Sequence, residues 1–141
     1  MPVTPRVSAQ TLKTHIESKF AVACAAGVGI TSEPIFRAPT NIRISKISLI
    51  GMAASVGIDG ANPSVWVIQT RLAAVVATLA TVTFNNVLVF PAAFTPYTFV
   101  ISPLGISVPR DTLLCFTVAN TGTAATPRTL VQVEYWINED V

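Results

Sequence analysis

From Phe20 to Ile137 the chain breaks into short runs rich in Val, Ile, Thr and aromatic residues, each closed by Gly, Pro, Asn, Asp or Ser. β-Branched and aromatic side chains suit a pleated, half-buried surface, and the turn residues supply the reversals between strands. On this pattern strands are predicted at Phe20–Ala25, Pro34–Ala38, Asn41–Met52, Val65–Gln69, Ala74–Leu79, Asn86–Phe90, Tyr97–Ile101, Leu113–Ala119 and Thr129–Ile137. Val56–Pro63, Pro91–Pro96, Ser102–Gly105 and Ala119–Pro127 are predicted loops. Many short strands with no helices between them point to an all-β fold, an antiparallel β-sandwich of the jelly-roll type. The sequence has no fixed-period repeat and no linker. Residues 21–141 are therefore read as one β-sandwich domain and residues 1–20 as an N-terminal arm.

Two strands carry a face assignment. In the last, Val131, Val133 and Tyr135 share one face, while Gln132, Glu134 and Trp136 share the other. That is the alternation of a half-buried strand. In Asn41–Met52, Ile42 and Ile44 alternate with Asn41, Arg43 and Ser45, but the apolar parity then passes to Ile47 and Leu49. A one-residue slip moves every later side chain to the opposite face, so the switch predicts a β-bulge or a corner between two sheets.

The arm supports two conformations. Met1–Arg6 holds Pro2 and Pro5 and reads as extended. Beyond it, Leu12, Ile16 and Phe20 recur at i, i+4 and i+8, with Ser8 placed as an N-cap, which fits a short amphipathic helix. An extended arm docked on a neighbour or on its own sandwich accounts for the same residues, and both alternatives stay open.

The chain is 51% apolar and 11% charged, with a net charge of +2. An ordinary domain is ~25% charged, and a core of this size buries only ~70% of the unfolded chain's surface. Apolar side chains are therefore predicted on the outside, as in a subunit covered by its neighbours. The basic residues are scattered singly from Arg6 to Arg128. Neutralising phosphates calls for a basic patch, stripe or tail, so no direct nucleic-acid partner is expected.

The residue types that carry catalysis are sparse. His15 is the single histidine, and no Gly-x-Ser-x-Gly turn offers it a nucleophile. Asp59 and Asp111 lie in turn sequence, and Glu139 and Asp140 read as a solubilising pair. Gly27-Val28-Gly29 lacks the rest of a dinucleotide fingerprint, and Gly57–Gly60 lacks a phosphate-loop Lys. The chain is read as a non-enzyme, with no catalytic residue, cofactor or metal expected. Cys24 and Cys115 sit in apolar runs and suit small buried hydrophobes in a reducing compartment, although a single disulfide between them stays open. Phe20–Ile30 imitates a signal-peptide core, but His15 and Glu17 interrupt the basic segment before it. Ile47–Ile58 and Leu72–Val82 fall short of the ~20 residues of a spanning helix. A soluble protein made in the cytoplasm, with no membrane partner, is expected. Trp66, in a run apolar on both faces, is assigned to the core, and Trp136 to a subunit contact or a sugar-stacking platform.

Glu33-Pro-Ile-Phe-Arg-Ala-Pro39, followed by Asn41-Ile-Arg-Ile-Ser-Lys-Ile47, resembles the opening of a family of small structural proteins of tailed bacteriophages. The order of later segments is similar as well: Asn62–Arg71, Val75–Leu79, Ile106–Leu114, the Ala119–Thr129 loop and Leu130–Glu134. The likeness covers roughly residues 30–135, and the family consists of head decoration (cement) proteins. It implies a jelly-roll or β-sandwich subunit, often trimeric, seated on the outside of an assembled capsid, with an N-terminal arm reaching across the shell or to a neighbour.

The expected function is that of a structural virion protein, a decoration subunit that binds the outside of an assembled phage head and stabilises it. Its expected partners are the major capsid protein and like copies of itself, a trimer by preference. Val3, Arg6, Leu12, Lys13, Ile16, Phe20 and Trp136 are the candidate interface residues. The rival expectations are a shell-forming capsid or other virion accessory protein and, after these, a glycan-binding module built on Trp136.

Overall fold

The computed structural model describes residues 13–102 and 104–137. Among them are nine strands and no helix: β1 (His15–Ala21), β2 (Ile30–Arg37), β3 (Ile42–Gly51), β4 (Ser64–Leu72), β5 (Val75–Phe84), β6 (Pro96–Thr98), β7 (Ile106–Val108), β8 (Leu113–Asn120) and β9 (Thr129–Ile137). They form two antiparallel sheets. One runs β1-β9-β3-β6, with β7 beside β6 on the same edge of β3, and the other runs β2-β8-β4-β5.

The pairing has a simple logic. The first half of the chain pairs with the second half in reverse order: β1 with β9, β2 with β8, β3 with β6 and β7, and β4 with β5. The chain is one long hairpin, with its tip at Ala73 and Ala74, rolled so that successive rungs fall in alternate sheets. This is the double Greek-key jelly roll. It sends the connections 22–29, 52–63, 85–95 and 121–128 to one end of the sandwich.

The parity switch in β3 is a bulge. Ile44 stands opposite Tyr135 and Lys46 opposite Glu134, so Ser45 is the extra residue, and its hydroxyl donates to the Glu134 carbonyl at 3.2 Å. The bulge keeps Ile42, Ile44, Ile47 and Leu49 all pointing inward and fully buried. They meet Val131, Val133 and Tyr135 of β9 and, from the other sheet, Trp66, Ile68, Leu114, Phe116 and Val118. Trp66 is in the core, stacked on Phe116 at 6.2 Å between ring centroids.

At the loop end the core is closed by polar groups that satisfy one another. The Trp66 indole donates to Ser64 Oγ (3.2 Å), and Ser64 donates to Asn120 Oδ1 (2.6 Å). The Asn120 amide then donates to the Val28 carbonyl (3.0 Å) and Thr126 Oγ1 (3.1 Å). Buried polar groups are tolerated when paired in this way. Nearby, Gly57 has φ 72, and a Cβ there would collide with the Thr123 carbonyl that packs against it.

Three strand assignments need correction. Asn86–Phe90 is a loop, because Asn85 Oδ1 accepts the amides of Val87 (2.8 Å) and Leu88 (3.0 Å) and so turns the chain out of any ladder. Only Phe90 returns to the core, edge-on to Phe84 at 4.9 Å. Phe20–Ala25 is displaced: pairing with β9 begins at His15 and ends at Ala21, leaving Cys24 in a single bridge to Thr126. Ile106–Val108, assigned to no strand from sequence, pairs with Ile42–Ile44. Residues 15–21 are thus extended, not helical. Cys24 and Cys115 are both buried and free.

Deletion of Ser45 leaves Ile42, Ile44, Ile47 and Leu49 in unbroken alternation with Arg43, Lys46 and Ser48, so the inward face is kept and the variant should unfold cooperatively. Deletion of both Ser45 and Lys46 turns Ile47 and Leu49 to the outer face and is expected to abolish cooperative unfolding. Urea melts followed by tryptophan fluorescence distinguish the two outcomes.

Candidate protein interface

Of the seven candidate interface residues, Val3, Arg6 and Leu12 lie outside the described residues. Lys13 is exposed just before β1. Ile16 (56% exposed) and Phe20 (37%) stand on the outer face of the first sheet, opposite Glu134 and Leu130 of β9. Trp136 is half-buried on that same face, opposite Arg43. This face is mixed in character. The Arg128 guanidinium lies 3.8 Å from the Phe20 ring centroid, and Lys46 approaches Glu134 at 3.8 Å. An exposed pair of that kind contributes at most ~1 kcal/mol. Trp136 therefore shares its face with Arg43, Lys46 and Glu134 as well as with the apolar Ile16, Phe20 and Leu130.

The strongest apolar surface is elsewhere. Between Arg71 and Arg110 the sequence contains no Asp, Glu, Lys, Arg or His. The rolled hairpin gathers this segment into one flank: β5 is the edge of the second sheet, and β6 and β7 form the edge of the first. Apolar side chains stand out along it in three groups. Leu72, Val75 (68% exposed) and Val76 lie at the β4–β5 tip; Val87 (86%), Leu88, Val89 and Phe94 lie on the 85–95 loop; Val100 (92%) and Leu104 lie on the β6–β7 link. A groove of about 280 Å³ opens between the two edges, walled by Leu72, Val75, Ala77 and Leu79 on one side and by Ile106 and Val108 on the other. Exposed apolar surface of this kind marks a contact site.

The flank was missed because it is defined by the absence of charge, whereas a motif search looks for residues that are present. The uninterrupted interval from Arg71 to Arg110 is the signal that could have found it.

The titratable groups serve structure. Burial pushes the Cys115 thiol up, only partly offset by Arg71, which opposes the thiolate a nucleophile needs. Burial, with Glu17 adding to it, likewise raises the Tyr135 phenol, whose ring stacks between His15 (5.3 Å) and Phe36 (5.1 Å). Asp59 is held below its ordinary range, first by the Asn62 side-chain amide and then by the Asn62 and Ala61 backbone amides, all at 2.9 Å. Among the described residues no three of His, Cys, Asp and Glu come together as a metal site. No family model, curated protein or solved structure matches the chain.

The β4–β5 tip carries measurable strain. Ala73 has φ 54, a left-handed conformation that costs a Cβ-bearing residue ~1–2 kcal/mol. Ala73→Gly relieves it at the expense of a more flexible unfolded chain, for a net gain of about 0.5–1 kcal/mol. The midpoint of urea unfolding should rise accordingly.

Proposed function

We propose that this protein is a structural virion subunit, a decoration protein that seats on the outside of an assembled phage head through the major capsid protein and stabilises it. The observation that carries the reading is the charge-free apolar flank, which is suited to permanent cover inside an assembly. The resemblance of Glu33–Pro39 and Asn41–Ile47 to head decoration proteins directs it to the capsid exterior. Fold alone does not choose a function.

The mechanism is mass action. A subunit that binds the assembled shell and not its dissociated parts lowers the free energy of the shell; at a hundredfold excess over the dissociation constant the gain is ~2.7 kcal/mol per site. Apolar burial at ~25 cal/mol per Å² supplies the attraction, reduced by the entropy of ordering any flexible segment. In this reading residues 1–12, with Lys13 and Ile16, reach the shell or a neighbouring subunit.

A second reading, a shell-forming capsid subunit, is favoured by the strand order itself, which viral capsid domains share. Expression of the chain alone separates the two: closed shells favour the second reading, small oligomers the first.

The direct test is co-sedimentation with heads assembled from the cognate major capsid protein. The chain is expected to sediment with heads and to ignore unassembled capsid protein. Deletion of residues 1–12 should keep the fold and lose binding; a longer deletion would strip β1 from β9. Absence of head binding by the full chain, or equal binding to free capsid protein, contradicts the decoration reading.

A further inference from the structure

We infer that the β5 edge is a self-association site, at which a second copy of this chain adds its own β5 antiparallel and extends the four-stranded sheet to a continuous eight across a two-fold axis. The inference uses the same flank as the capsid reading but needs no capsid, so it is tested on the isolated chain.

The first observation is how differently the edges are treated. Unpaired edge strands recruit other strands unless charges, prolines, bulges or short length prevent it. The β1 edge carries Glu17 and Lys19. The β2 edge carries Glu33, Pro34 and Arg37 and is broken by two register shifts. On the remaining edge β6 and β7 are three residues each, with Pro96 in the first and Pro109 directly after the second. β5 is ten residues long and has neither a charge nor a proline. The register shift opposite Ile68 and Gln69 takes up Leu79 and leaves Val75–Thr78 as a regular, exposed run at the hairpin tip.

The second observation is charge complementarity, which selects the occupant. Were β5 to pair head-to-tail with the opposite flank of another copy, Glu17, Lys19, Glu33 or Arg37 would be desolvated against apolar side chains, a costly arrangement for an unpaired charge. Among the sheet edges, the one of full length that can pair with β5 without burying a charge is β5 itself. A patch that is its own complement forms an isologous contact with two-fold symmetry. The partner's β5 would also cover the adjoining groove and its Leu72 and Val75 walls. The expected unit is a dimer, in place of the trimer that the resemblance implies.

Sedimentation equilibrium on the full chain tests this, with two edge variants, Val75→Lys and Thr78→Lys, and with Ser18→Lys, exposed on β1 at the opposite flank, as control. Across a two-fold axis each edge substitution places two ammonium groups in one interface. Thermal melts establish that the variants are folded; both edge positions are solvent-exposed, so the monomer accommodates the new side chains. The wild type and Ser18→Lys should run at twice the 14.9 kDa chain mass. Each edge variant should run at the chain mass, with dimer affinity reduced at least a hundredfold. A monomeric or trimeric wild type overturns the inference. So does an edge variant that keeps the wild-type mass, or loss of the dimer on deletion of residues 1–12 alone, which would make the arm the occupant.

Discussion

A strand at the edge of a sheet presents a row of backbone N–H and C=O groups that must be hydrated, blocked or paired. Rolling one hairpin into two sheets leaves this molecule with four such edges, at β1, β2, β5 and the β6–β7 pair. With only 11% of its residues charged, the chain has few means of guarding them. Glu17 and Lys19 guard β1, Glu33, Pro34, Arg37 and two register shifts guard β2, and prolines with very short strands limit β6 and β7. The β5 edge and the segments that follow it, up to Arg110, receive none of the charges.

Two other features follow from the same economy of charge. The core is closed by mutual pairing among Trp66, Ser64, Asn120, Thr126 and the Val28 carbonyl, so the loop end needs no ion pair to satisfy its buried groups. Substituting Ser64 or Asn120 by an apolar residue leaves a buried partner unsatisfied, which costs ~1–3 kcal/mol. The Asp59 turn, pinned to Asn62, belongs to the same end, where Asn62 Oδ1 also accepts the Thr123 amide at 3.2 Å. Because the Asp59 carboxyl is held below its ordinary range, its contribution is complete above the unfolded-state value and fades as pH falls through the lower folded one. The flank between Arg71 and Arg110 contains no titratable acid or base of the common kinds, so its association should be insensitive to pH and to salt.

Much of the sandwich was legible because its signals are local and have period two. The switch from Ile42 and Ile44 to Ile47 and Leu49 announced the Ser45 bulge, and the alternation in Leu130–Trp136 matched the observed faces of β9. Failures came where a short-range hydrogen bond overrode composition, as at Asn85, or where a strand of three residues is too short to show a period, as at Ile106–Val108. The spacing of Leu12, Ile16 and Phe20 was ambiguous for a geometric reason. Offsets of four are even, so they share a face in a strand as well as in a helix, and Ile16 and Phe20 indeed share the outer face of β1. For the candidate interface, side-chain identity pointed to a mixed, charged face, whereas the fold gathered the uncharged interval into one flank.

The central claim is that the β5 edge is covered in solution by like copies, and backbone amide hydrogen exchange measures that cover residue by residue. The account predicts that the amides of Val75–Thr78 that point away from β4 exchange slowly at high protein concentration and fast on dilution, while the buried centres of β3, β8 and β9 stay slow throughout. Fast exchange of those outward-pointing amides at every concentration, as in an edge open to water, would contradict it.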